Sequence, residues 1–342
     1  MSKVAAYSQK AKENLENVNQ MIQDITTTFI ENPDTIMEMM KFSEKFYRYS
    51  LNNRFLIYSQ NPYATYVQSF QAWKKMGYSV QKGQKGMKIL FPQMITYVKT
   101  DDNKWVKLSM ADKDTVEKYK AGEIENRQVM SFGVGNVFDI SQTTCPAEDY
   151  PKFFDMGFAD IDRNKIYEAI VNYCDQKLNT KVVTEDMSSI SLRGENYVGR
   201  NKIVLNKLLK DSEKLSTLVH EMAHQQLHQD MSRFDKPVYQ IEFEADAYSV
   251  MVNQHIGVEN TVGRKRHMTE NFNRIVHALE KSGYLPAEVR EQVKSIVSNV
   301  FSIYDATISD IDAEIDKSLS IDYDQKKGKN KKLEFDKTQQ ER

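Results

Sequence analysis

Leu215-Ser216-Thr217-Leu218-Val219-His220-Glu221-Met222-Ala223-His224-Gln225-Gln226-Leu227 decides how this chain is read. Leu215, Leu218, Val219, Met222, Ala223 and Leu227 recur at helical spacing, which predicts an amphipathic helix over about 212–228. Residues four apart share a helical face, so His220 and His224 stand one turn apart, with Glu221 directly after the first. Two imidazoles so placed can reach one metal ion.

Working outward, the spacing is the H-E-x-x-H pattern of zinc-dependent hydrolases. A catalytic zinc needs a third protein ligand and a position left open for water. Glu242-Phe243-Glu244-Ala245-Asp246 begins eighteen residues after His224. A second helix running antiparallel to the first, joined by the 229–236 loop, would carry this segment back over the histidines. Glu242 is then the natural third ligand, with Glu244 as the alternative. Asp246, on the same face as Glu242, would accept the second ring N–H of a ligand histidine. Glu221 is the expected catalytic base, taking a proton from water and delivering one to a leaving amine. His228 extends the histidine face but stays outside the expected ligand set. Tyr197, Tyr239 and Tyr248 are candidate oxyanion donors by their nearness in sequence alone.

The chain has 342 residues, 40% of them apolar and 11% aromatic, enough for two domains with real cores. Net charge is −1, so any basic surface is local. Cys145 and Cys174 are too few for a disulfide framework and read as reduced thiols. The first residues lack the apolar stretch of a signal peptide, and no apolar run reaches membrane-spanning length, so a soluble cytoplasmic protein is expected.

The pattern reads as α+β throughout. Helical periodicity over 4–30, 34–50 and about 51–60 is followed by strand-like runs at 89–91, 105–108 and 131–140. A second unit begins near 161, with a helix at 162–178, strands near 182–183, 197–198 and 203–205, and helices at about 212–228, 237–256, 269–283 and 286–304. The expected organisation is a domain over 1–143, a linker over 144–160, a metal-binding domain over 161–307, and a charged, disordered tail over 308–342.

The segments Val204-Leu205-Asn206, Leu218 to His224, and Glu242-Phe243-Glu244-Ala245-Asp246-Ala247-Tyr248 together resemble the ImmA/IrrE metallopeptidases, within the gluzincin-type zinc peptidases, over about residues 160–256. The resemblance implies a zincin-like minimal core of strands, motif helix and second acidic helix. It implies zinc on His220, His224 and Glu242, with Glu221 as base. Asp246 stands where many ImmA/IrrE members carry Asn.

Residues 71–110 hold eight lysines against two acids and are interleaved with aromatics. Single-strand binders pair a cationic groove for the backbone with aromatic faces for the bases. On that chemistry Arg54, Trp73, Lys74, Lys82, Lys85 and Lys88 are the candidate nucleic-acid contacts. A core role for the aromatics is the competing reading. Asn53 to Pro62, Ser69-Phe70-Gln71-Ala72-Trp73, Lys82-Gly83, Lys85-Gly86, Ile89 to Pro92 and Val137 to Thr143 resemble the N-terminal domain of ArdC-type antirestriction proteins and the related LtrC-like proteins, over about residues 10–143. That resemblance implies single-stranded DNA binding on a mobile element such as a conjugative plasmid or transposon.

The combined expectation is a single-stranded-DNA-binding, zinc-dependent endopeptidase acting in antirestriction or DNA transfer, on an unknown protein or peptide substrate. The alternative is a non-catalytic protein that coats single strands, with a structural or vestigial zinc site. A closed structural site usually draws on cysteines, and neither cysteine lies near the motif.

Overall fold

The computed structural model describes residues 3–340 apart from 47, 153–161, 188, 190 and 230–233. The chain divides into two compact units, Met1–Ile25 with Tyr49–Phe154, and Thr26–Arg48 with Asp155–Arg342. Segment 26–48, which the sequence reading assigned to the first domain, groups with the second. Most of the expected 144–160 linker, from 153 onward, and the expected domain start at 161 lie outside the described residues. Among the described residues no helix is long and apolar enough to cross a membrane.

The first unit takes α1 (Lys3–Glu31) up to Ile25, then α3 (Leu51–Gln60), β1 (Val67–Ser69), α4 (Phe70–Lys75), β2 (Met87–Lys99), β3 (Trp105–Lys107), α5 (Lys113–Ala121) and β4 (Asn126–Asp139); α2 (Asp34–Glu44) belongs to the second unit. The strands form an antiparallel sheet in the order β1-β4-β2-β3. β2 and β4 pair over their full length, from Met87↔Val137 to Val98↔Asn126, as a long two-stranded ribbon. β3 covers the other edge of β2 only at Tyr97–Lys99. Nearer its start, side chains from α3 satisfy that edge. The Asn53 amide donates to Leu90 O and accepts from Leu90 N, both at 2.8 Å. The Gln60 amide does the same for Lys88, at 2.9 and 2.8 Å. Open strand edges invite unwanted pairing, and two amides on one helix close this one.

Trp73 anchors the end of this unit. It is fully buried among Ile140, Cys145, Tyr66, Tyr78 and Phe138, and its indole N–H donates to Phe138 O at 2.8 Å. Buried Asp139 accepts from the backbone N–H groups of Thr65, Tyr66 and Ser141 and so ties β4 to the loop before β1.

The second unit comprises α2, α6 (Arg163–Leu178), β5 (Lys181–Glu185), β6 (Gly194–Tyr197), β7 (Lys202–Asn206), α7 (Asp211–Leu227), α8 (Val238–His255), α9 (Val262–Lys281) and α10 (Pro286–Gln340). Its sheet has the order β5-β7-β6, with β5 parallel and β6 antiparallel to β7. α8 is the central helix. Every residue from Phe243 to Asn253 is buried, and α2, α7, α9 and α10 pack around it. A helix enclosed on all sides is apolar all round, except where polar groups find partners. Along α10 the buried stripe is Val289, Val293, Val297, Val300, Phe301, Tyr304, Ile308, Ile311 and Ile315. Ordered packing therefore continues past 308, where the sequence reading placed the start of the tail. The high density of charge hid three isoleucines at helical spacing. α9 begins at Val262, a turn or more before the expected 269.

Candidate metal centre

β7 runs directly toward α7, and α7 places its apolar side (Leu218, Val219, Met222, Ala223) in the core. His220 and His224 lie at the edge of that side, 15% exposed, their rings 4.9 Å apart and nearly perpendicular. α8 returns against α7 and brings Glu242 to them. Its Oε2 is 3.7 Å from His220 Nε2 and its Oε1 3.6 Å from His224 Nε2. One donor atom from each of the three residues lies within 4.8 Å of the other two. Donors about 2.0–2.1 Å from a tetrahedral cation stand roughly 3.4 Å apart. Two imidazole nitrogens and a carboxylate at this spacing fit one borderline divalent cation with a coordination position to spare.

The three side chains open on a cleft of about 400 Å³, walled on the other side by Gly194, Glu195 and Asn196 of β6 and containing Glu221. Burial pushes the Glu221 carboxyl up to about 7, with nearby Glu242 adding to the effect and the Arg264 charge opposing it. A carboxyl poised there exchanges protons at neutral pH. Asn196 Nδ2 donates to Glu221 O at 3.0 Å and fastens β6 to the motif turn. Gly194 admits Glu221 to the cleft. A Cβ at this position would lie 2.9 Å from Thr217 Cγ2 and 3.0 Å from Glu221 Cγ. Burial holds His224 well below the ordinary imidazole range.

Asp246 is almost fully buried one turn beyond Glu242. Burial alone would raise its carboxyl. The hydrogen bonds to His220 and His267, with the Arg264 charge, instead hold it far below the usual carboxylate range. Asp246 Oδ1 lies 3.2 Å from His220 Nδ1, and Asp246 Oδ2 lies 2.6 Å from His267 Nδ1. Arg264 Nη1 is 3.0 Å from Asp246 Oδ1 and 2.7 Å from His220 Nδ1. Arg264 and His267 come from α9, and nothing in their local sequence tied them to the motif.

Glu244, the alternative ligand, is turned away from the cleft. Its carboxylate accepts from Lys236 Nζ and Gln240 Nε2, each at 2.8 Å, and sits 3.0 Å from His228 Nε2. Tyr248 is fully buried with its hydroxyl on Thr307, so it cannot serve as an oxyanion donor. The Tyr197 hydroxyl donates to Glu195 Oε2 at 2.6 Å.

The nucleic-acid candidates divide. Lys74, Lys82 and Lys85 are exposed, and half-buried Lys88 donates to Asn14 at 3.0 Å. Trp73 and Arg54 are corrected. Both are fully buried, Trp73 in the core and Arg54 with Nε on Tyr49 O at 2.7 Å, so neither has a face to offer a base. Among the described residues, the exposed aromatics of this unit are Tyr63 and Phe70, before and on α4, and Phe91 and Phe132 on the β2–β4 ribbon. Phe91 is 41% and Phe132 51% exposed. Phe91 shares one face with Tyr97 and its cross-strand partner Arg127, whose guanidinium lies 4.5 Å from the Trp105 ring centre. The sequence reading passed over Arg127 and Phe132.

Residues 8–138 match the family model of the N-terminal domain of anti-restriction factor ArdC, and residues 175–253 match a peptidase family model described as an IrrE N-terminal-like domain. The chain thus carries a segment similar to the ArdC N-terminal domain ahead of a segment similar to the IrrE N-terminal-like domain. All of the strands of the first unit fall within the ArdC match or end one residue past it, and the IrrE-like match spans β5 to α8 with the whole histidine–glutamate cluster. An uncharacterized protein of Bacillus anthracis is 28% identical over 333 residues, 91% of this chain, and the chain spans 55% of that relative's length. Crystal structures of a plasmid antirestriction ArdC protein are also similar at 15% identity. The metal-free form has a TM-score of 0.47 over 79% of this chain and 86% of that one. The Mn(II)-bound form has 0.40 over 75% and 83%.

Proposed function

We propose that the IrrE-like unit is a zinc-dependent endopeptidase centre and that the ArdC N-terminal domain binds single-stranded DNA, the two acting together against host restriction or in support of DNA transfer on a conjugative element. The observation that carries the peptidase reading is the convergence of His220, His224 and Glu242 around one point, with Glu221 poised near neutrality in the same cleft.

In this reading His220, His224 and Glu242 hold the cation, and Asp246 orients His220. When bound, the cation supplies an acidified water and a Lewis acid for a carbonyl oxygen. Glu221 accepts the proton that water gives up and passes it to the leaving amine. β6 lies along the cleft and offers a peptide an edge to lie against. The test is cleavage of unfolded protein substrates by the zinc-loaded chain, with and without single-stranded DNA. Glu221→Gln is expected to retain zinc and lose cleavage. Cleavage unchanged in that variant would remove the peptidase reading.

The DNA reading is supported by exposed Lys74, Lys82 and Lys85 and by Phe91, Tyr97 and Arg127 on the ribbon. Affinity for single strands should fall with salt, and Phe91→Ala should weaken binding by about 1–3 kcal/mol, the usual contribution of one stacked base. A salt slope near zero would sink it.

A further inference from the structure

His228 is 2% exposed and Glu244 1% exposed, and neither has a part in the chemistry described above. An imidazole buried so deeply needs a partner on each polar atom. His228 has two: Nδ1 lies 3.3 Å from His224 Nδ1, and Nε2 lies 3.0 Å from Glu244 Oε2. We infer that His228 and Glu244 form a positioning chain that fixes His224 in the tautomer with its proton on Nδ1, leaving the Nε2 lone pair facing the cleft.

The argument is a hydrogen-bond count. The Glu244 carboxylate, held ionised by Lys236 and Gln240, can only accept. A His228 that carries one proton places it on Nε2 and donates it to Glu244. Its Nδ1 is then an acceptor. The His224–His228 contact is then a bond with His224 Nδ1–H donating. His224 Nε2 is left unprotonated, 3.6 Å from Glu242 Oε1. A doubly protonated His228 would reverse the bond and put the His224 proton on Nε2, the outcome that overturns the inference below. The other histidine of the pair is not constrained in this way. His220 Nδ1 meets both an acceptor, Asp246 Oδ1, and a donor, Arg264 Nη1. The His228–Glu244 chain thus presets one ligand of the centre before any cation arrives, so less reorganisation is needed on binding. Carboxylate partners of metal-bound histidines commonly act directly, and here a second imidazole stands between.

This inference rests on the proposed metal site, and two measurements separate their failures. The first reads the metal-free full chain, labelled with 15N-histidine, by long-range proton–nitrogen correlation. With six histidines in the chain the spectrum can be assigned by single substitutions. The expected result is a proton on Nδ1 of His224 and on Nε2 of His228. A proton on Nε2 of His224 overturns the inference, whatever the protein does with zinc. The second is zinc affinity by chelator competition. His228→Phe removes the acceptor and should weaken zinc binding about 10–100-fold. His228→Gln, whose amide can accept from His224 and donate to Glu244, should restore most of it. Equal affinity in wild type and His228→Phe refutes the chain while leaving the metal site standing. A wild type that takes up no zinc refutes the metal site, and the tautomer measurement still decides the chain. Should His228→Phe fail to fold, that measurement on the wild type and the His228→Gln affinity carry the test.

Discussion

Replacing His255 by glutamine should make the second unit less stable at pH 6 and leave it nearly unaffected at pH 10. His255 closes α8 and reaches two other helices. Its Nδ1 is 3.3 Å from Glu44 Oε1 of α2 and its Nε2 2.6 Å from Asp312 Oδ1 of α10. Burial alone would lower its pKa, but the hydrogen bonds and charges of Asp312 and Glu44 outweigh it and raise the imidazole to about 9. The position at the C-terminus of α8 also favours the cation. Because the folded pKa lies above the ordinary 6.5, the folded state binds the proton more tightly than the unfolded chain. The stabilisation is therefore complete below about 6.5 and disappears as pH rises through about 9. A rise of about 2.5 units corresponds to about 3.4 kcal/mol at 1.36 kcal/mol per unit. His255 is 12% exposed, but Asp312 is 33% and Glu44 24% exposed, and solvent screening reduces the expected effect to about 2 kcal/mol. Both tryptophans, Trp73 and Trp105, lie in the first unit and are poor reporters here. Amide exchange of α8 and α10 peptides, followed by mass spectrometry in wild type and His255→Gln, measures the relevant opening. The difference between the two proteins should shrink from about 2 kcal/mol at pH 6 to a few tenths at pH 10. A difference constant across that range would refute the ion-pair reasoning.

Three further outcomes follow from the packing. Gly194→Ala forces Glu221 to move and should lower peptide cleavage on the order of 100-fold with zinc content unchanged, measured by kinetics beside metal analysis. Asn53→Ala strips both partners from Leu90 and should cost about 2 kcal/mol in the first unit, read from tryptophan fluorescence in urea. Truncation after 307 removes buried Ile308, Ile311 and Ile315, each contributing about 1.5–3 kcal/mol, and should lower the melting temperature of the second unit sharply in calorimetry; an unchanged transition would mean those side chains carry no load.

The two histidines and Glu221 were legible because helical periodicity is local. Four residues make one turn wherever the helix lies, and the apolar stripe of α7 fixed which way it faces. Glu242 was legible as far as an antiparallel return of the next helix could be guessed, but the choice between Glu242 and Glu244 could not be settled from the segment itself. Both carboxylates lie on α8, two residues apart. The fold turned Glu244 toward His228 and Lys236 and left Glu242 at the cleft. The error at Trp73 and Arg54 has the same origin. A basic, aromatic stretch has the same composition whether its rings are in the core or on the surface, and burial depends on the strands that close over them. The full β2–β4 ribbon was underestimated because half of it faces solvent and carries no continuous apolar run.

Sequence by itself determined what short-range geometry controls: the α+β alternation, the turn-spaced donors, the acidic segment on the following helix, and the family resemblance of both halves. Tertiary structure alone decided which distant groups complete them. Gly194 on β6 and Arg264 and His267 on α9 reach the motif across the sheet and between helices. Hydrogen bonds and close contacts between elements depend on where the chain returns in space, and no local periodicity encodes that return.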